Sequence, residues 1–166
     1  IDYLLQHSKK VIIICGNHDP VIKPIAEKRR TEVVTKYQTG DVLITHGDEI
    51  IETDAKRVII GHEHPAITVR EGSKWEKYKC FLKGTWKGKA GDKKRKQELK
   101  ELIAVPSFNP ILEGTDVLKE QLLSPFLEDI GKFEVYVVGE KQAFYFGKVK
   151  GLRKRRIFSK YPLSIF

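Results

Sequence analysis

Three short β-branched runs, each passing directly into a glycine- and histidine-bearing motif, constrain this chain most. VIIIC (Val11 to Cys15) leads into GNHD (Gly16 to Asp19), DVLIT (Asp41 to Thr45) ends in THG (Thr45 to Gly47), and RVIIG (Arg57 to Gly61) ends in GHEH (Gly61 to His64). Apolar runs of this length bounded by turn residues read as buried strands. Three such strands would deliver polar residues to one edge, and in open α/β sheets ligands bind at the edge beyond the carboxyl ends of the strands.

The rest of the composition sets limits. With 166 residues, 40% of them apolar and 32% charged, the chain reads as a single globular domain over 1–166 with a basic tail at about 148–166. No apolar stretch approaches the ~20 residues of a membrane helix, and no charged-then-apolar leader opens the chain. The expectation is a cytoplasmic protein without a membrane partner. Cys15 and Cys80 form neither a CxxC pair nor a disulfide framework and read as small buried hydrophobes. Methionine is absent, even at position 1.

A formal net charge of +9 suggests a polyanionic partner, because clustered Lys and Arg displace counterions from phosphates. The excess is concentrated at Trp86 to Lys100 and Lys148 to Arg156. A solvated loop and a frayed tail explain these segments as well as nucleic-acid contact does.

Along the chain, Asp2 to Ser8 reads as the last turns of a helix and Val21 to Arg30 as a short helix with Pro24 in its first turn. Strands are expected at Thr31 to Tyr37 and Asp41 to Thr45 around a turn at Gln38 to Gly40, then a brief helix at Ile50 to Lys56. From Ala66 the pattern becomes that of antiparallel strands: Ala66 to Arg70, Tyr78 to Lys83 and Leu102 to Val105, interrupted by a loop or short helix at Lys87 to Lys100. A helix broken by Pro125 is expected within Leu118 to Asp129, and a closing hairpin at Phe133 to Val138 and Ala143 to Val149. Alternation of strands and helices followed by mostly strands suits an α/β (α+β) sandwich of two sheets flanked by helices.

Asn17, His46, His62 and His64 offer the imidazole and amide donors that suit zinc, manganese, iron and similar divalent ions. On an extended segment His62 and His64 project to one side, and Glu63 points away. His18 is left over as a group that could protonate a leaving oxygen, with Asp19 to hold its ring. Taken singly, Asn17 is an ordinary turn amide and Asp19 a helix cap. Together, four of the five histidines lie at strand ends in three glycine-flanked motifs, while His7 reads as a surface residue of the opening helix.

GNHD, THG and GHEH in this order resemble the third, fourth and fifth blocks of the calcineurin-like metallophosphoesterases. GHEHPAI (Gly61 to Ile67), AVPSFNPILEGTDV (Ala104 to Val117) and SPFL (Ser124 to Leu127) are similar to the archaeal SbcD-related phosphoesterase subgroup, also called ICC-like. The resemblance implies an αββα sandwich of two mixed sheets and a two-metal site, with manganese foremost and zinc, iron or nickel as alternatives. It implies that Asn17, His46 and His62 ligate one metal and His64 the other, that His18 contacts the substrate phosphate as the acid, and that Asp19 orients it. The family places an Asp-x-His block and a Gly-Asp block before GNH, and nothing upstream of Gly16 supplies either. The resemblance therefore implies that Ile1 falls inside the helix preceding the GNHD strand, that the N-terminal strands are missing, and that residues 1–166 have impaired activity as an incomplete fragment.

The expected function is hydrolysis of a phosphate ester by two metal ions. A phosphodiesterase or nuclease leads, with DNA or RNA among the substrates and a homo-oligomer among the assemblies. The alternative is a non-catalytic nucleic-acid or protein-binding module on the same scaffold.

Overall fold

A computed structural model describes residues 1–17, 19, 21–71, 73–88 and 99–158. Three helices and eleven strands lie among them: α1 (Asp2–His7), β1 (Ile12–Ile14), α2 (Ile22–Glu27), β2 (Glu32–Val34), β3 (Lys36–Thr39), β4 (Val42–Thr45), β5 (Arg57–Ile60), β6 (Pro65–Glu71), β7 (Lys74–Lys87), β8 (Leu99–Ala104), β9 (Thr115–Asp116), β10 (Glu134–Val138), β11 (Ala143–Lys148) and α3 (Val149–Phe158). The result is an α+β fold with mixed sheets and few, short helices. Residues 89–98, the centre of the first basic segment, lie outside the described residues. No helix among the described residues is long and apolar enough to cross a membrane.

One path of strands, β11-β10-β7-β8-β5-β4-β3, forms the larger sheet. Its central β4, β5 and β8 are parallel, with Leu43 opposite Val58 and Val58 opposite Leu102. Side chains alternate across a pleated sheet, so Leu43, Val58, Ile60, Leu102 and Ala104 share one buried face. Leu82, Val135, Val137, Phe126, Phe133 and Leu152 complete that core. β7 spans fourteen residues and serves two sheets. Its first half, Lys74 to Lys79, pairs antiparallel with β6, and its second half pairs with β8 and β10.

Several expectations change. The three β-branched runs do not share a sheet: β4 and β5 pair with one another, whereas β1 pairs with β2 in a separate two-stranded parallel sheet. Ile12, Ile13 and Ile14 are only half-buried, and α1 buries none of its residues. The strand expected at Thr31 to Tyr37 divides at Thr35, where β2 turns from β1 so that β3 can form a hairpin with β4. Gly40, at φ 51°, supplies the left-handed turn residue.

No helix forms at Ile50 to Lys56. The Thr53 hydroxyl instead accepts the Ala55 N–H at 3.0 Å, a local bond that competes with helix formation. Leu118 to Asp129 is likewise non-helical, because its backbone is held from outside by Glu63, which accepts from Leu123 and Ser124. β8 is antiparallel to β7, as expected, but parallel to β5. The second basic segment is not a frayed tail where described: α3 begins at Val149, and Val149 and Leu152 enter the core.

Gly84 on β7 faces the Phe133 ring so closely that a Cβ there would overlap it. Gly84→Ala is expected to lower the unfolding free energy by about 1–3 kcal/mol through overpacking. In urea unfolding, Phe133→Leu in the same chain should recover part of that loss, giving a non-additive pair.

Candidate functional site

The parallel register places the ends of β4 and β5 level, with Thr45 opposite Ile60. The next residues leave the sheet together. The His46 carbonyl accepts both the Gly61 N–H at 2.9 Å and the His62 N–H at 2.8 Å, extending the ladder one step beyond the strands. This backbone clamp brings the side chains into contact: His62 Nδ1 lies 2.9 Å from His46 Nε2, with the rings edge to face at 4.8 Å.

GNHD approaches from the separate β1–β2 sheet. A Cβ on Gly16 would lie 2.6–2.8 Å from three atoms of the His46 ring, so only glycine allows this approach. Asp19 closes the turn, its N–H donating to the Gly16 carbonyl and its carboxylate accepting the Gly16 N–H, both at 3.3 Å. Helix α2 has Val21 at its N-terminal cap position and no side-chain cap, so Asp19 is a turn-closing residue rather than a helix cap. Asn17 is exposed in this turn, and His18 lies outside the described residues.

His64 departs from the expected geometry. Residues 62 and 63 form a turn and His64 adopts a left-handed φ of 48°, so alternation along an extended strand does not apply. Its carbonyl accepts the Thr115 N–H at 3.0 Å, and a Cβ on Gly114 would overlap that carbonyl. Glu63 is only 3% exposed. Its carboxylate accepts the Leu123 N–H at 2.8 Å and the Ser124 N–H at 2.9 Å, while the Ser124 hydroxyl donates to the Gly47 carbonyl at 2.6 Å. SPFL therefore ties the His46 loop to the GHEH turn.

Burial lowers the His46 pKa below its ordinary value, and the neighbouring His62 lowers it further against the opposing charges of Asp48 and Asp19. Burial is also the main cause at His64, with His62 and Lys79 adding to it and Glu63 and Asp19 opposing. Both imidazoles are therefore biased to the neutral form that ligates metals. His46 and His62 are close enough for both nitrogens to reach one ion at the ~2.1 Å of a metal–imidazole bond. Among the described residues, no group of three or more His, Cys, Asp or Glu side chains is arranged to hold a metal. Both cysteines are free, and burial, aided by the Asp116 charge, pushes the buried Cys80 thiol up to about 12.

Glu63→Ala is expected to cost about 2–3 kcal/mol of stability, because it leaves the buried Ser124 N–H and the part-buried Leu123 N–H without their acceptor, whereas Glu63→Gln should cost less. Chemical denaturation of both variants checks the order. Because His46 and His64 bind protons less readily when folded, the unfolded chain binds more protons as pH falls through their ordinary value of 6.5. Metal-free protein should therefore lose stability between pH 7 and 5.5, and His64→Asn should flatten that dependence in thermal unfolding followed across the same range.

No family model matches the chain, and no curated protein matches it. Among solved structures, the nuclease MPE of Pseudomonas putida superposes with a TM-score of 0.54 over 87% of this chain at 18% identity. The chain spans 58% of that nuclease's length, and the likeness shows a shared fold.

Proposed function

We propose that the chain carries part of a metal-dependent phosphoesterase site that acts on phosphodiesters of nucleic acid. The observation that carries this reading is the 2.9 Å approach of the His46 and His62 nitrogens at the level ends of β4 and β5. Two imidazoles held this close by backbone hydrogen bonds are a suitable first pair of ligands, and burial favours the neutral form of His46. The likeness in fold to a nuclease and the net charge of +9 are consistent with a polyanionic substrate.

In this reading His46, His62 and the Asn17 amide hold one divalent ion, manganese foremost, and His64 belongs to a second. The bound metal would polarise a phosphate oxygen and lower the pKa of water. The protein's own residues fix the rest. The His46 carbonyl sets the spacing of the two loops, Gly16 approaches the imidazole where a side chain would not fit, and Asp19 bonds back to Gly16. His18 is proposed to give a proton to the leaving oxygen. The Glu63–Ser124–Gly47 connection keeps the loops from separating when anionic substrate enters.

Calorimetric titration of metal-free protein with manganese chloride, paired with cleavage of an end-labelled oligonucleotide, tests the reading. Wild-type protein should bind the ion, and His46→Ala and His62→Ala should each weaken binding at least about tenfold and abolish metal-dependent cleavage. Cleavage that persists unchanged in chelator, or in both variants, would refute it.

A further inference from the structure

Phe108 is the most exposed large apolar residue among the described ones, at 103% of its reference surface, and Ile111 beside it is 85% exposed. An apolar side chain on a loose loop can fold down onto the protein. This loop is held instead. Lys79 Nζ donates to the Ser107 carbonyl at 3.0 Å and to the Asn109 carbonyl, gripping the chain on both sides of Phe108. The Ser107 hydroxyl accepts the Asn109 N–H at 3.2 Å, and the Asn109 side-chain oxygen accepts the Ile111 N–H at 3.0 Å. Ser107 itself is buried. The backbone is thus anchored while the ring is presented to solvent.

The loop also borders the histidine site at both of its ends. Just before it, the Val105 N–H donates to the Ile60 carbonyl at 2.9 Å, one residue before GHEH. It returns at Gly114, which packs on the His64 carbonyl, and Thr115, which donates to it. Lys79 stands opposite Ala66, two residues after His64, in the β6–β7 register. Phe108 therefore stands on a braced rim between the end of β8 and His64.

Resting on the phosphoesterase reading above, we propose that Phe108 is a base-stacking platform, which receives the face of one nucleobase flanking the phosphate held at the histidines. A rigidly presented aromatic ring gains most from a flat, apolar face, and every nucleobase has one. The neighbouring Lys79 ammonium gives two of its three donors to the loop carbonyls, and the group presented to solvent is the apolar Phe108 ring, whose complement is the face of a base. In a duplex both faces of an internal base are covered by its neighbours. The platform consequently admits bases of unpaired segments, which can turn out of the strand, and not those of a closed duplex.

The test is binding of the full chain to fluorescent oligothymidylate and to a duplex of equal length, in manganese, with Phe108→Ala, Phe108→Trp and Phe108→Leu. Thermal unfolding should be unchanged in all three, since the ring is exposed. Phe108→Ala and Phe108→Leu should weaken single-strand binding about tenfold and leave the blunt duplex within about twofold, and Phe108→Trp should restore binding, with its fluorescence quenched by the stacked base. Equal losses on both nucleic acids, or rescue by Leu, would overturn the proposal. So would unchanged oligothymidylate binding in Phe108→Ala coupled with loss of binding to vesicles of anionic phospholipid, which would mark the ring as a membrane contact. Manganese binding that depends on His46 separates the two readings: if it persists while Phe108 has no effect, the stacking platform fails and the metal site stands. If it is absent, the metal site fails.

Discussion

The bifurcated acceptance of the Gly61 and His62 amides by the His46 carbonyl is the contact on which the site depends. It exists only because β4 and β5 are parallel and in a register that ends both strands together. A parallel pair requires a crossover, and the segment from His46 to Lys56 makes it without a helix, relying on local bonds such as Thr53 to Ala55. Once the carbonyl is engaged, the two imidazoles emerge on neighbouring loops and their nitrogens meet. Each later feature of the site adjusts around that pair: Gly16 yields space, Gly114 receives the His64 peptide, and Glu63 turns inward to hold the outer chain.

Much of this was legible from residue pattern. The positions of β1, β4, β5 and the β10–β11 hairpin follow from short apolar runs bounded by turn residues, and the same punctuation exposed the motifs at their ends. Pairing was less accessible. Three similar isoleucine-rich runs suggested one sheet, yet among the described residues β1 pairs with β2 and not with β4 or β5, because local pattern carries no information about which edge a strand joins. The helices expected at Ile50 to Lys56 and Leu118 to Asp129 failed for a related reason: a side chain took the backbone bonds that a helix would use, from within the segment at Thr53 and from sixty residues away at Glu63.

The site was legible as an inventory more than as a geometry. His46 and His62 come together, whereas His64 follows a left-handed backbone that a histidine adopts infrequently and that alternation along a strand could not foretell. Its cause lies in Gly114, fifty residues later, whose lack of a side chain becomes meaningful only when the fold places it against the His64 carbonyl. Lys79 was hidden in the same way. In the sequence it is one of many cations, and in the fold it braces two peptides of a loop twenty-eight and thirty residues away.

β7 has a further consequence. Its fourteen residues, a span of ~46 Å at the usual rise per residue, hydrogen-bond β6 along one half and β8 and β10 along the other. The sheet beside His64 and the sheet that carries the core thus share a single covalent spine. Opening of β6 frees amides on β7 itself, and the strand cannot be withdrawn from one sheet without straining its pairing in the other. Amide protection should therefore decay together across β6, β7 and β8, making the histidine rim and the hydrophobic core one cooperative unit of exchange.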